Sequence, residues 1–236
     1  MRSFRQAVLI IGLLIMTSYC FNSSVQAVTQ ERPLQQKLLH YDIIIDVGHG
    51  GIDGGTHRGS LLEKNINLEV GKALYDELQK RKYEVGITRL QDYALSDDSP
   101  QPRVGSRHKR DLRQRALIAK GVNPALFISL HTNYSSHSGV KGPMIIHQDQ
   151  AKSTLMAQLL QSELNHLTGY PKKEFPSRRY YLLQSVPCPC MIAEIGYISH
   201  PIEAKRLQDP AYQQQIAIKM ANAIDQYFHL YPYDEE

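Results

Sequence analysis

The sequence predicts a single α/β domain with a mostly parallel twisted sheet covered by helices on both faces. Three observations carry that prediction. Short continuous apolar runs alternate with amphipathic stretches from Tyr41 onward. The runs end at glycine or polar turns. No internal repeat or second domain interrupts the pattern. The chain of 236 residues is long enough for one large core. With 42% hydrophobic and 21% charged residues, disorder and collagen-like structure are excluded. Three cysteines are too few for a disulfide scaffold, and a formal charge of +4 gives no reason to invoke nucleic acid.

Arg2 and Arg5 precede an apolar run from Ala7 to Met16, and Val25, Gln26 and Ala27 follow. That order predicts an export signal over residues 1–27, cleaved after Ala27, with an uncleaved anchor as the only expected membrane contact. Its loss would leave 209 residues and lower the charge to +2, because it holds two arginines and no acid. Residues 28–40 read as a polar lead-in, 41–229 as the folded domain and 230–236 as a loose tail.

Each element then follows in order. Tyr41 to Val47 is an Ile-rich run suited to a strand buried on both faces. Glu63 to Arg81 sets Ile66, Val70, Ala73, Leu74 and Leu78 on one helical face. A strand from Tyr83 to Thr88 completes a β-α-β unit. Arg89 to Lys109 reads as a long polar loop before a short helix through Leu112 and Ala116 to Ala119. Ala125 to Leu130 and Gly142 to His147 are strands, and Lys152 to Thr168 is a helix ended by Gly169 and Pro171. Tyr180 to Leu183 and Met191 to Ile195 are the last predicted strands, and Ala211 to Phe228 the closing helix.

His49, His131 and Glu194 stand at or just past the ends of three predicted strands. In an open parallel sheet, ligands bind at the carboxyl ends of strands, so these three residues converge on one expected pocket. Glu63 joins them, since a carboxylate in the first turn of a helix is favoured by the helix dipole and points back toward the sheet edge. Two imidazoles and a carboxylate leave one position open on a zinc ion, and a further carboxylate can take a proton from water. Taken singly, a histidine after a strand is commonly a loop or core residue, and a glutamate at a helix start is commonly a cap. The glycines 48, 50, 51, 54 and 55 around His49 and Asp53 shift the balance, because they let backbone approach a bound group closely. A dinucleotide turn is a poorer explanation. Asp53 fills the third glycine position of that motif and would repel a pyrophosphate, and the helix begins about ten residues late.

The segments IIIDVGHGGIDGG (Ile43 to Gly55), LLEKNINLEVGKAL (Leu61 to Leu74), VGITR (Val85 to Arg89), LFISLHTN (Leu126 to Asn133) and AEIGYISHPIEAKRL (Ala193 to Leu207) resemble, in order, those of the zinc-dependent N-acetylmuramoyl-L-alanine amidases of the amidase_3 family. That resemblance covers residues 41 to 228. It implies Zn2+ held by His49, Glu63 and His131, with Glu194 as the catalytic carboxylate. It also implies hydrolysis of the amide between the lactyl group of muramic acid and L-alanine in peptidoglycan. The short architecture and RHKRDLRQRALIA (Arg107 to Ala119) are most similar to the CwlD-type spore-cortex branch, implying muramic lactam formation, a cell-wall or spore intermembrane location and an activating protein partner. A catalytically silent wall-binding or protein-binding module of the same fold is the alternative. His200, where the family has Asn before Pro201, and the CPC stretch before Met191 depart from the pattern.

Arg103, Arg107, Lys109, Arg110, Arg113 and Arg115 form a basic cluster with one acid, Asp111. A solvated helix face is the plain reading and contact with an anionic peptide or glycan the sharper one, which makes Arg115 a candidate substrate-binding residue. Asn133, two residues past His131, is a second candidate for orienting substrate. Cys188 and Cys190, one residue apart, are expected as buried free thiols. His57, His108, His137, His147 and His166 have no partner at a telling spacing.

Overall fold

The computed structural model describes residues 40–98 and 105–232. The expected export signal, nearly all of the lead-in, Arg103 and the end of the tail lie outside these residues. The described chain runs β1 (Ile43–Val47), β2 (His57–Arg58), β3 (Leu61–Leu62), α1 (Glu63–Lys80), β4 (Val85–Ile87), a 3-10 turn (Leu95–Asp97) and α2 (Arg107–Val122). Then follow β5 (Leu126–Asn133), β6 (Met144–His147), α3 (Ala151–Thr168), β7 (Phe175–Pro176), α4 (Tyr181–Ser185), β8 (Cys190–Tyr197), α5 (Pro201–Arg206) and α6 (Pro210–Leu230).

Six strands form one sheet in the order β4-β1-β5-β8-β6-β7. β4, β1, β5 and β8 are parallel neighbours, and β6 turns the sheet mixed by running antiparallel to β8. Alternation along each strand divides the core. Ile43, Ile45, Val47, Ile128, Leu130, Met191 and Ala193 pack with α1, α3 and α6 in the larger cluster. Ile44, Phe127, Cys190 and Ile192 pack with Ala116 and Ala119 of α2 and Leu182 and Leu183 of α4 on the other face. The same alternation puts Asp46, Ser129, His131 and Glu194 on the α2 and α4 side, where the cover is thinner.

Tyr180 to Leu183 is a correction: the segment is the helix α4, not a strand. Leu182 and Leu183 are adjacent and both buried in one cluster, which a strand would prevent by sending them to opposite faces. His200 accepts the amide hydrogen of Glu203 on Nδ1 at 3.4 Å and caps α5. The imidazole thus does the work of the asparagine expected there. Cys188 and Cys190 are free and buried among the second cluster. Among the described residues no helix is long and apolar enough to cross a membrane.

Candidate metal centre

The loop after β1 begins where Gly48 passes under His131. A Cβ on Gly48 would sit 2.6 Å from both Cε1 and Nε2 of that imidazole and from the Leu130 carbonyl, so only glycine fits. His49 itself adopts φ 61°, an uncommon conformation for a side chain of this size. Its Nδ1 lies 2.9 Å from Asp53 Oδ2, and Asp53 Oδ1 accepts the Gly55 amide at 3.1 Å. With Nδ1 engaged, Nε2 faces Glu63 Oε1 at 3.3 Å. Gly55, at φ 67°, carries the chain past Glu63 Oε2, where a Cβ would come within 2.6 Å.

Glu63 is the first residue of α1 and is buried. Its Oε2 accepts the backbone amide of Thr56 at 2.7 Å and the Thr56 hydroxyl at 3.0 Å. Its Oε1 accepts the Thr132 amide at 3.0 Å and Asn67 Nδ2 at 3.3 Å, and faces His131 Nδ1 at 3.0 Å. The two imidazoles meet edge to face, with centroids 5.0 Å apart. One donor atom from each of His49, Glu63 and His131 lies within 4.8 Å of the others. Tetrahedral zinc with bonds of about 2.0–2.1 Å sets its donors roughly 3.3 Å apart, so this set fits the ion. The parallel register pairs His131 with Glu194 on the next strand, and Glu194 Oε2 is a buried oxygen with no hydrogen-bond partner among the described residues.

The charges in the metal-free cluster follow from these contacts. Burial disfavours a charged His49, yet Asp53 and Glu63 push it up to about 9. Burial also pushes the Glu63 carboxyl upward, but His131 and His49 overrule it and hold it well below the usual range. His49 holds Asp53 down to about 2, against burial. Glu194 moves the other way: burial raises it to about 7, with His131 and His49 opposing and the Glu63 charge assisting.

Arg115, the candidate for substrate contact, is 2% exposed and faces the sheet, with its donors spent on protein groups. Its guanidinium bonds Asp111 Oδ2 through Nε at 2.7 Å, pairs with Asp46 through Nη1, and donates to the Val47 and His49 carbonyls at 2.7 and 3.0 Å. Burial opposes its charge, but Asp46 and Asp111 more than restore it. Asp46 is completed by the hydroxyls of Ser129 at 2.6 Å and Thr88 at 3.1 Å. Arg89 donates to Val47 O at 3.2 Å, Gly48 O at 3.0 Å and Lys64 O at 2.8 Å. Two buried guanidiniums thus grip three consecutive carbonyls, those of Val47, Gly48 and His49. Asn133, at the end of β5, spends its Oδ1 on the Tyr134 amide at 2.7 Å. Thr56, Asn67, Asp46 and Arg89 carry no local signal of this role in the sequence. Asp53 does, four residues after His49 within a glycine loop.

A mostly parallel sheet with a His-Glu-His cluster and an adjacent carboxylate at its carboxyl edge defines an α/β protein equipped for hydrolytic chemistry. Comparison with known proteins gives the particular kind. Residues 43–226 match the Amidase_3 model, N-acetylmuramoyl-L-alanine amidase, and the chain belongs to that family. A germination-specific N-acetylmuramoyl-L-alanine amidase of Bacillus subtilis (strain 168) is 33% identical over 218 residues, covering 92% of this chain and 90% of its own. The CwlD amidase of Clostridioides difficile, solved in complex with the GerS lipoprotein, superposes with a TM-score of 0.75 at 28% identity, covering 81% of this chain and all of that one. An N-acetylmuramoyl-L-alanine amidase of Clostridium difficile 630 gives 0.69 at 25% identity, over 80% of this chain and 97% of its own. The chain is an enzyme, a peptidoglycan amidase.

Proposed function

We propose that this amidase is zinc-dependent, with His49, Glu63 and His131 holding the ion and Glu194 acting as general base on the amide between the muramic lactyl group and L-alanine. The observation that carries the reading is one carboxylate oxygen, Glu63 Oε1, lying 3.0 and 3.3 Å from nitrogens of two imidazoles, beside a buried and unpartnered carboxylate oxygen of Glu194. Zinc, when bound, supplies a Lewis acid that polarises the scissile carbonyl and acidifies water. Asp53 fixes the His49 ring so that Nε2 faces the site, and Thr56, Asn67 and Thr132 fix both oxygens of Glu63. Glu194 accepts the proton of the attacking water and returns it to the departing alanine nitrogen.

Similarity to a germination-specific amidase supports spore cortex as the substrate and a site of action outside the cytoplasm, and muramic lactam formation is the outcome that the CwlD-type resemblance implies. The lipoprotein bound to the similar clostridial amidase supports an activating protein partner here. Residues 1–27 would deliver the chain as an export signal, and 41–229 would form the catalytic domain.

The test is the muropeptide profile after incubation with purified spore cortex and vegetative sacculi. Stem peptides with free alanine amino groups are expected from cortex, lost on complete metal removal and restored by zinc. Release that survives metal removal overturns the zinc reading. Binding to cortex without release overturns cortex as the substrate.

A further inference from the structure

The centre described above does not use a cleft of about 280 Å3 on the far side of Asp53. Two of its lining groups are carboxylates already engaged, Asp53 with His49 at 2.9 Å and Asp111 with Arg115 at 2.7 Å. Two basic side chains complete the lining. Arg107 is exposed and makes no ion pair among the described residues, and His108 stands beside it. Ser96 is 8% exposed, and its Oγ is buried with no hydrogen-bond partner among the described residues, although its own amide is held by Asp111 at 3.2 Å. An orphaned hydroxyl costs stability unless something completes it. Ile52, 75% exposed, and Ala94 supply an apolar wall.

We propose that this cleft is a subsite for the peptide part of the substrate and recognises a free carboxylate on it. Arg107 and His108 pair with the carboxylate, Ser96 Oγ donates to it or to the adjoining peptide carbonyl, and Ile52 covers the apolar side. The inference rests on the amidase reading, and the chemistry of the substrate selects the peptide over the glycan. In a muramoyl peptide the lactyl carboxyl is consumed by the scissile amide, so the negative charge near that bond lies on the peptide. Asp53 belongs to both places, since it holds His49 and lines the cleft. A peptide bound there is therefore seated next to the ring that presents a proposed metal ligand.

The test uses the full zinc-loaded chain and two muramoyl-L-alanyl dipeptides that differ only in whether the second residue carries a free carboxylate or its amide. Replacing both side chains, Arg107→Gln with His108→Gln, is expected to raise KM for the free acid by about tenfold, the scale of one charge-assisted hydrogen bond. The amide is expected to show the same KM in variant and wild type. Ser96→Ala is expected to raise KM for the acid by about fivefold. Equal effects on acid and amide, or none on either, overturn the subsite. If the wild type hydrolyses neither compound, the amidase reading fails separately. The cleft is then judged by NMR titration of the full chain with the product dipeptide. Weaker binding of the acid by the double variant supports the subsite, and equal binding rejects it.

Discussion

Glu194 is the residue whose environment conflicts most with its charge. One oxygen is buried without a partner, and its carboxyl is raised from 4.5 to about 7, chiefly by burial. A base must be ionised to accept a proton, so activity should fall as pH falls through this pKa. A bound cation favours the carboxylate, so the acid limb of kcat/KM in the loaded enzyme is expected between 4.5 and about 7. Glu194→Gln should lower kcat by roughly a hundred- to ten-thousand-fold while leaving one zinc per chain, as read by metal analysis. Near-normal turnover in that variant would falsify the assignment. The metal-free chain gives an independent check. An unfolded carboxyl ionises near 4.5 while the folded one keeps its proton to about 7, so stability drops as pH rises across that window. Glu194→Gln is therefore expected to raise the metal-free Tm at pH 8 and to leave it almost unchanged at pH 4. The thiols respond to burial in the same direction. Cys188 is pushed up to about 12 and Cys190 also rises well above its usual value, so alkylation of the native chain at pH 8 should be far slower than after denaturation.

At the scale of elements, α2 acts through its inward face. Asp111, Arg115, Ala116 and Ala119 are its buried residues, and Arg115 reaches across β1 to the carbonyl of His49. In Arg115→Lys a single ammonium keeps a charge for Asp46 but cannot serve Asp111, Val47 O and His49 O at once. Zinc affinity measured by chelator competition is expected to fall about ten- to a hundredfold while the far-ultraviolet circular dichroism stays native. A core variant remote from the loop, Leu160→Ala on α3, should cost about 2–5 kcal/mol of stability and leave zinc affinity as it was. Equal metal affinity in Arg115→Lys and wild type would show that the grip on these carbonyls does not position His49. The same helix marks where sequence stopped being informative. His49, His131 and Glu194 were legible because a polar residue at the end of a buried strand has few places to go in a parallel sheet. Arg115 was not, because charge type does not tell which side of a helix a residue faces. The Asp111–Arg115 spacing of four, beside Ala116 and Ala119, was the available signal. α4 is not legible in the sequence because five residues are too few for a period to declare itself. The support around Glu63 from Thr56, Asn67 and Thr132 depends on three separate segments meeting, which no local pattern records.

For the whole molecule, the proposed ligands matter because they come from the loop after β1, the start of α1 and the end of β5, segments up to 82 residues apart in sequence (His49 to His131). The fold brings them together. The sheet register and the buried Asp46–Arg115–Asp111 group hold the scaffold, and the larger hydrophobic cluster on the opposite face supplies most of the packing. Zinc should therefore stabilise a chain that already folds, unlike a small metal-dependent finger that is unfolded without its ion. An ion that binds the native but not the unfolded chain contributes about 4 kcal/mol at a thousandfold excess over its Kd. For a domain of this size each kcal/mol moves Tm by about 2–4 °C, so a rise of roughly 8–16 °C on zinc addition is expected by differential scanning calorimetry. His131→Ala removes one donor while leaving the hydrophobic clusters whole, so its metal-free form should still unfold cooperatively and its Tm should barely respond to zinc. A wild-type Tm indifferent to zinc, or a His131→Ala variant that responds as strongly as wild type, would remove the ion from this site and leave the amidase fold to work by another route.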